Sequence, residues 1–177
     1  MDSRRRPSRA ARMTLLAVLA LAACGTPSPS AIDAEGAFRL IFRLPQATYQ
    51  TTEPISGTAT LAVTDGHDAS ISASGDGPLG FSFVEVGGTR RMDAAWHDDC
   101  RHFTLEAKSP MSSAIKKSGG WSGEDPNAAF YQAFIADPEV HLPPGTWDIS
   151  AVASFYEGDC GRVTHYLTAT IRVTVTP

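Results

Sequence analysis

Residues 147–155 read Trp-Asp-Ile-Ser-Ala-Val-Ala-Ser-Phe, with an apolar side chain at every second position from Trp147 to Phe155. A period of two puts alternate side chains on one face of a β-strand, whereas a helix face needs a period of about 3.6. The end of the chain repeats the pattern at alternate positions from Leu167 to Val175. We therefore predict two strands here, each with one buried face.

The same alternation recurs earlier in the chain, between turn residues. It covers 38–44, 55–63, 69–73 and 79–83, with shorter candidates at 90–96 and 102–107. No crossover helix separates these segments, as it would in an α/β fold. Short strands joined by turns are typical of a sandwich or a barrel. We expect an all-β fold, an antiparallel β-sandwich.

One segment, residues 109–144, interrupts the strand pattern. Asp125, Pro126 and Asn127 could cap a helix of about two to three turns, with Phe130, Phe134 and Ile135 facing inward. A long insertion of this kind is either functional or a cover over an open end of the core. Both interpretations remain open from the sequence.

Two turn segments resemble those of extracellular immunoglobulin-like modules. Residues 49–57 read Tyr-Gln-Thr-Thr-Glu-Pro-Ile-Ser-Gly, and residues 142–147 read Leu-Pro-Pro-Gly-Thr-Trp. The resemblance covers most of residues 37–177 and implies an immunoglobulin-like β-sandwich. The sequence departs from antibody domains in two ways. Trp121 lies 21 residues after Cys100 and not at the expected core position, and the tyrosine corner is missing at Asp159 and Cys160. A bridge between the cysteines therefore need not join the two sheets.

The amino-terminal segment has the pattern of an export signal. Residues 1–12 contain five arginines, and residues 13–23 form an apolar run of about eleven residues, too short for a transmembrane helix. Leu21, Ala22, Ala23 and Cys24 resemble the lipobox of bacterial lipoproteins. The resemblance implies that a signal peptidase recognises Leu21 to Ala23, that the leader 1–23 is removed and that Cys24 is acylated. The acyl chains would hold the protein at a membrane.

This leader sets the expected domain organisation. A Pro-, Ser- and Gly-containing stretch without apolar periodicity follows Cys24, so we predict a flexible tether over 24–36 and the sandwich over 37–177. Without residues 1–23 the chain keeps 10 of its 15 basic and 18 of its 19 acidic residues, a net charge of about −8. Such a surface makes nucleic acid an unlikely partner.

The two remaining cysteines, Cys100 and Cys160, form an even pair in a chain with an export signal. Thiols are oxidised outside the cytoplasm, which favours a disulfide between them. The alternative is metal ligation together with nearby histidines.

The densest polar cluster is residues 96–102, which read Trp-His-Asp-Asp-Cys-Arg-His. His97 and His102 would make a metal site if they converged, but five positions apart on a strand they face opposite sides. The chain has no recognisable arrangement for nucleophilic catalysis and no cofactor fingerprint. We expect no catalytic residues, no metal and no cofactor, so the protein is not expected to be an enzyme.

A binding role requires neither catalytic residues nor a metal or cofactor. Trp96, Trp121 and Tyr131 lie in or near irregular segments, and exposed aromatic residues at loop ends are frequent recognition anchors, although core packing is the alternative for each. We expect an extracytoplasmic, lipid-anchored binding or structural module of the bacterial envelope, with a protein or glycan partner. The alternatives are a metal-dependent or hydrolytic envelope enzyme using His97 and His102, and an envelope inhibitor or assembly factor.

Overall fold

A computed structural model describes residues 28–161 and 164–177. These ranges contain eleven strands and one helix, arranged in two sheets, so the predicted all-β sandwich with one short helix is confirmed. The elements are β1 (Ser30–Glu35), β2 (Phe38–Arg43), β3 (Thr48–Gln50), β4 (Thr58–Val63), β5 (Ala69–Ala73), β6 (Leu79–Glu85), β7 (Arg91–Met92), β8 (Arg101–Leu105), β9 (Met111–Ala114), α1 (Ala128–Ala136), β10 (Gly145–Glu157) and β11 (Thr164–Thr176).

The two sheets differ in size and regularity. Sheet A has the order β1-β2-β4-β9 and is antiparallel throughout. Sheet B is built on the long hairpin of β10 and β11, which pair from Gly145–Val175 to Tyr156–Thr164. The other edge of β10 is shared by β6 and β5, while β3 lies parallel to the end of β11. The two strands predicted from the strongest patterns thus pair as the hairpin at the centre of sheet B.

The core lies between the sheets and is made by the alternating positions that the sequence identified. Aromatic rings meet across the interface, since Phe42 of sheet A lies 5.9 Å from Phe81 and Phe38 lies 4.8 Å from Phe155 between ring centroids. His165 is buried at the same end, 4.8 Å from Phe38 and 5.0 Å from Phe155. Its ring nitrogens lie 3.4 and 3.5 Å from carboxylate oxygens of Glu35 and Glu157.

The structure corrects the expected tether. Residues 30–35 form β1, which pairs with β2 along its whole length, so the folded domain begins by Ser30 and not at residue 37. The inward positions of β1 include Asp33, whose carboxylate accepts a 2.7 Å hydrogen bond from the Thr168 backbone N–H. β3 pairs only with residues 174–176 of β11, so the Thr168 N–H has no partner on β3. The Asp33 carboxylate supplies the missing acceptor at this edge of the sheet. Because Asp33 occupies an inward position, β1 lacks the alternation of apolar residues from which the other strands were predicted.

Three further differences concern strand boundaries. The candidate strand 90–96 is reduced to β7 (Arg91–Met92), because the chain leaves the edge of β6 after Met92. β3 was not predicted, and β9 lies inside the segment 109–144 that was expected to be an insertion. Part of that segment is therefore an edge strand of sheet A.

Helix α1 begins after Asn127, as expected, but the Asn127 side chain makes no capping bond and instead contacts Thr89. Of the three residues predicted to face inward, Phe134 is buried, 5.2 Å from Phe83, while Phe130 and Ile135 are partly buried. Phe130 stacks at 5.9 Å on Trp147. The helix therefore covers the core at the end of β6 and the start of β10.

Lys117, which follows β9, contacts the carboxyl end of α1. The Lys117 ammonium donates hydrogen bonds to the backbone carbonyls of Phe134, Asp137 and Glu139, the last at 2.6 Å. Burial lowers the pKa of Lys117, and the charge of Asp137 opposes that shift. A cation at this position both satisfies carbonyls left free at a helix end and complements the helix dipole.

We expect Lys117→Met to lower the free energy of unfolding by about 1–3 kcal/mol, because charge-assisted bonds to helix carbonyls are lost while the stem is kept. The measurement is urea unfolding followed by circular dichroism. Lys116→Met is the matched control, since the neighbouring Lys116 is exposed and should change stability little. Equal effects of the two substitutions would contradict the proposed contact.

Candidate functional site

The outer face of sheet B carries one exposed and two half-buried aromatic residues, Tyr166, Tyr156 and Trp96. Because Trp147, Ile149 and Phe155 point into the core, the even-numbered residues of β10 point outward, and so do those of β11 and β6. We call these outward residues the outer face. They are Gly80, Ser82, Val84, Thr146, Asp148, Ser150, Val152, Ser154, Tyr156, Thr164, Tyr166, Thr168, Thr170, Arg172 and Thr174.

Tyr166 is the most exposed aromatic residue on this face, at 63% of its maximal area. It stands opposite Ser154 in the β10–β11 register, and Tyr156 stands opposite Thr164, one outward position further along. The two tyrosines are therefore diagonal neighbours on adjacent strands. The outward residues around them are hydroxyl-bearing and small.

Trp96 lies over the same face, on the loop that follows β7. A Cβ added to Gly80 would meet the Trp96 ring at 2.9 Å, so this position needs glycine for the indole to lie directly on the strand. Gly80 stands opposite Val152 of β10, an outward residue that is nevertheless buried. The loop is thus packed onto β6, and Trp96 is half-buried.

A cleft of about 300 Å³ opens between the Trp96 loop and the β10–β11 hairpin. It is lined by Ala73, Ser74, Trp96, His97, Asp98, Asp99, Cys100, Ser154, Phe155, Tyr156 and Thr164. Its volume is at the lower end of those of small-molecule sites in proteins. One indole, one phenol, hydroxyl groups and carboxylates meet there, a mixture suited to holding a polar ligand with apolar faces.

Hydrogen bonds hold the loop in place. The backbone N–H of His97 donates to Ser74 Oγ at 3.0 Å, and Asp99 Oδ1 accepts from the Gly75 backbone N–H at 2.7 Å. Asp99 also accepts from Arg101 Nε at 3.1 Å. The pKa of Asp99 is lowered, chiefly by the Gly75 N–H and further by Arg101, so this carboxylate stays ionised at neutral pH.

The predicted disulfide is present in the structure. Cys100 and Cys160 are bonded, with their Cα atoms 6.4 Å apart and 60 positions apart in sequence. The bridge connects the end of the Trp96 loop to the turn between β10 and β11. It therefore fixes one wall of the cleft relative to the other, and Cys100 is not a free thiol.

The residues 96–102 do not converge on a common centre. His97 Nε2 lies 3.0 Å from Asp76, whereas His102 Nδ1 lies 2.8 Å from the hydroxyl of Ser72. No group of three or more His, Cys, Asp or Glu side chains within residues 28–161 and 164–177 is placed to hold a metal ion. The structure offers the metal-dependent alternative no assembled ligand set in these ranges.

The other two candidate binding residues lie apart from the cleft. Trp121 precedes α1 and is 40% exposed. Tyr131 is on α1 and only 6% exposed, and its hydroxyl accepts a 3.2 Å hydrogen bond from the Arg91 N–H. Tyr131 therefore packs in the core, the alternative that the sequence left open, because the helix turns this ring inward beside Phe130.

Sequence reasoning identified Trp96 but missed Tyr156 and Tyr166. A signal was present, since both stand at outward positions of strands whose inward positions are apolar, where an aromatic ring needs an explanation. The predictions for Leu21, Ala22, Ala23 and Cys24 concern residues outside the described ranges. Within those ranges, the helical structure lacks the length and apolar character that a membrane span requires.

No family model, no curated protein and no solved structure matches the chain. The immunoglobulin-like and lipobox resemblances therefore remain predictions.

Proposed function

We propose that the protein is a lipid-anchored, extracytoplasmic binding module of the bacterial envelope and that it is not catalytic. The observation that carries the proposal is the outer face of sheet B, where Tyr166 is exposed beside a cleft walled by Trp96 and Tyr156. Exposing large aromatic rings costs hydrophobic free energy, so their placement around one cleft supports a recognition role.

The construction of the cleft supports a binding role. Its carboxylate Asp99 is held by a backbone N–H and by Arg101, an arrangement that fixes a charged acceptor. The lowered pKa of Asp99 keeps this acceptor ionised at neutral pH.

The position of the domain next to the proposed anchor is also favourable. Only residues 25–29 separate Cys24 from the first strand, so this segment can span at most roughly 20 Å. An acylated Cys24 would keep the sandwich close to the bilayer, where it meets envelope components at high effective concentration.

The test is native mass spectrometry of the full-length protein extracted from its own bacterial membrane in mild detergent. We expect an acylated, metal-free species lacking residues 1–23, with or without a retained partner. The acyl mass reports the anchor, and any additional mass reports metal or partner.

A soluble, unacylated species carrying stoichiometric metal would overturn both the localisation and the non-catalytic assignment. Alanine substitution of His97 and His102 would then show whether that metal uses the cluster at 97–102. Metal content unchanged by both substitutions would place the ion elsewhere.

A further inference from the structure

We propose that the outer face of sheet B binds a neutral glycan chain, which lies over the β10–β11 hairpin between Trp96 and Tyr166. The inference rests on the proposed binding function and names its ligand class. It is carried by the arrangement of aromatic rings, by the hydroxyl groups between them and by the charge of the surface.

The strand register fixes the spacing of the aromatic positions. Gly80, Val152 and Thr168 form one row across the three strands, and Trp96 lies over the first of them. Tyr166 is one outward position away from Thr168. With standard strand spacing, the backbone positions beneath the two rings are roughly 12 Å apart. That separation accommodates more than one sugar ring, so a chain is a better match than a single monosaccharide.

The surface between the rings matches the two kinds of group on a sugar. Pyranose rings present C–H faces that pack on aromatic side chains, and their edges present hydroxyl groups. Ser154 and Thr168 supply hydroxyl groups between the rings, Thr164 supplies one just beyond Tyr166, and Asp99 supplies an ionised acceptor at the cleft. A hydroxyl-rich sheet with separate aromatic rings lacks the contiguous apolar centre of a protein interface.

Charge selects a neutral ligand over an anionic one. The cleft lining contains Asp98 and Asp99 but neither lysine nor arginine among the described residues. The arginines elsewhere on this side are paired, since Arg172 donates to both oxygens of Asp148 at 2.8 and 2.9 Å. Arg91 likewise donates to Asp93. Among the described residues, the arginines on this side are paired and the cleft carries carboxylates, so this part of the face repels uronates and phosphates.

The test uses the full-length protein in a detergent without a sugar headgroup, because a glycoside detergent would compete for the site. The probes are neutral hexasaccharides of glucose, N-acetylglucosamine, mannose and arabinose, together with the protein-free neutral polysaccharide fraction of the same bacterium's envelope. A polygalacturonate oligomer is the anionic comparison. Calorimetric titration measures the affinity of each probe.

We expect at least one neutral probe to bind and the anionic one not to bind. Tyr166→Ala should weaken binding about tenfold, while Tyr166→Phe should retain it because the ring supplies the contact. Trp121→Ala is the matched control, since Trp121 is an exposed aromatic residue outside the cleft. The Trp121→Ala protein should bind the neutral probe with the affinity of the wild type. Thermal unfolding should be similar in all three variants, because Tyr166 and Trp121 are exposed.

Three results would overturn the inference. The first is no binding of any neutral probe, and the second is preference for the anionic one. The third is equal loss of affinity with Trp121→Ala and Tyr166→Ala. If the mass spectra then show an acylated chain with a protein partner that Tyr166→Ala releases, the binding function stands and the ligand class is wrong. If neither ligand is held, both proposals fail.

Discussion

Trp147→Ala is expected to lower the free energy of unfolding by about 3–5 kcal/mol, the range for removing a large buried ring. Trp147 is fully buried on β10, and Phe130 of α1 stacks on it. The Arg90 guanidinium lies 5.1 Å from its ring centroid and pairs with Glu85. Truncation would open a cavity at the point where helix and sheet meet. Urea unfolding monitored by far-ultraviolet circular dichroism measures the loss.

Two variants show whether burial is the cause. Trp121→Ala removes the same side chain from an exposed position, and we expect only a small change in stability. Trp147→Phe keeps much of the ring but removes the Nε1–H that donates to the Pro143 carbonyl at 3.0 Å. Its effect should lie between those of the two alanine variants. A Trp147→Ala protein as stable as Trp121→Ala would contradict the packing described for this end of the core.

The double substitution Cys100→Ser/Cys160→Ser is expected to lower the free energy of unfolding by about 4 kcal/mol, since the bridge closes a loop of 60 residues. Both cysteines are replaced so that neither partner of the bridge remains as a free thiol. Urea unfolding of the two proteins under non-reducing conditions measures the difference.

A reducing agent provides the control. It should lower the stability of the wild type toward that of the double variant and leave the double variant unchanged. Because the bridge joins the Trp96 loop to the β10–β11 turn, the variant should also bind its ligand more weakly at temperatures where it remains folded. An unfolding midpoint that neither the substitutions nor the reducing agent alter would contradict a structural role for the bridge.

The strands that could be predicted are those with a complete apolar face. In β2, in β11 and over residues 147–155 of β10 every inward residue is apolar or, in the case of His165, shielded by two rings, so the alternation is visible without knowledge of neighbours. The strands that escaped prediction depend on partners. β1 turns Asp33 toward the Thr168 N–H, and β3 is three residues long with one buried side chain, Tyr49.

The candidate site was predictable to a smaller extent. Trp96 and Tyr131 were grouped as candidates because both lie in or near irregular segments and outside the predicted strands. The structure separates them, since the loop lays Trp96 over Gly80 while α1 turns Tyr131 into the core. Tyr156 and Tyr166 became candidates only when the β10–β11 register placed them beside the cleft.

The sequence by itself determined the fold class, favoured a disulfide between Cys100 and Cys160, and supplied the resemblance at Cys24. The first follows from a local rule, the alternation of side chains along a strand, and the second from the even pair of cysteines that remains when Cys24 is assigned to the proposed anchor. Which aromatic rings share a surface was decided only by the tertiary structure. Trp96 and Tyr166 are 70 positions apart in sequence. Their proximity depends on hydrogen bonds between strands and on a loop that packs onto a glycine, and non-local contacts of this kind leave no periodicity in the chain.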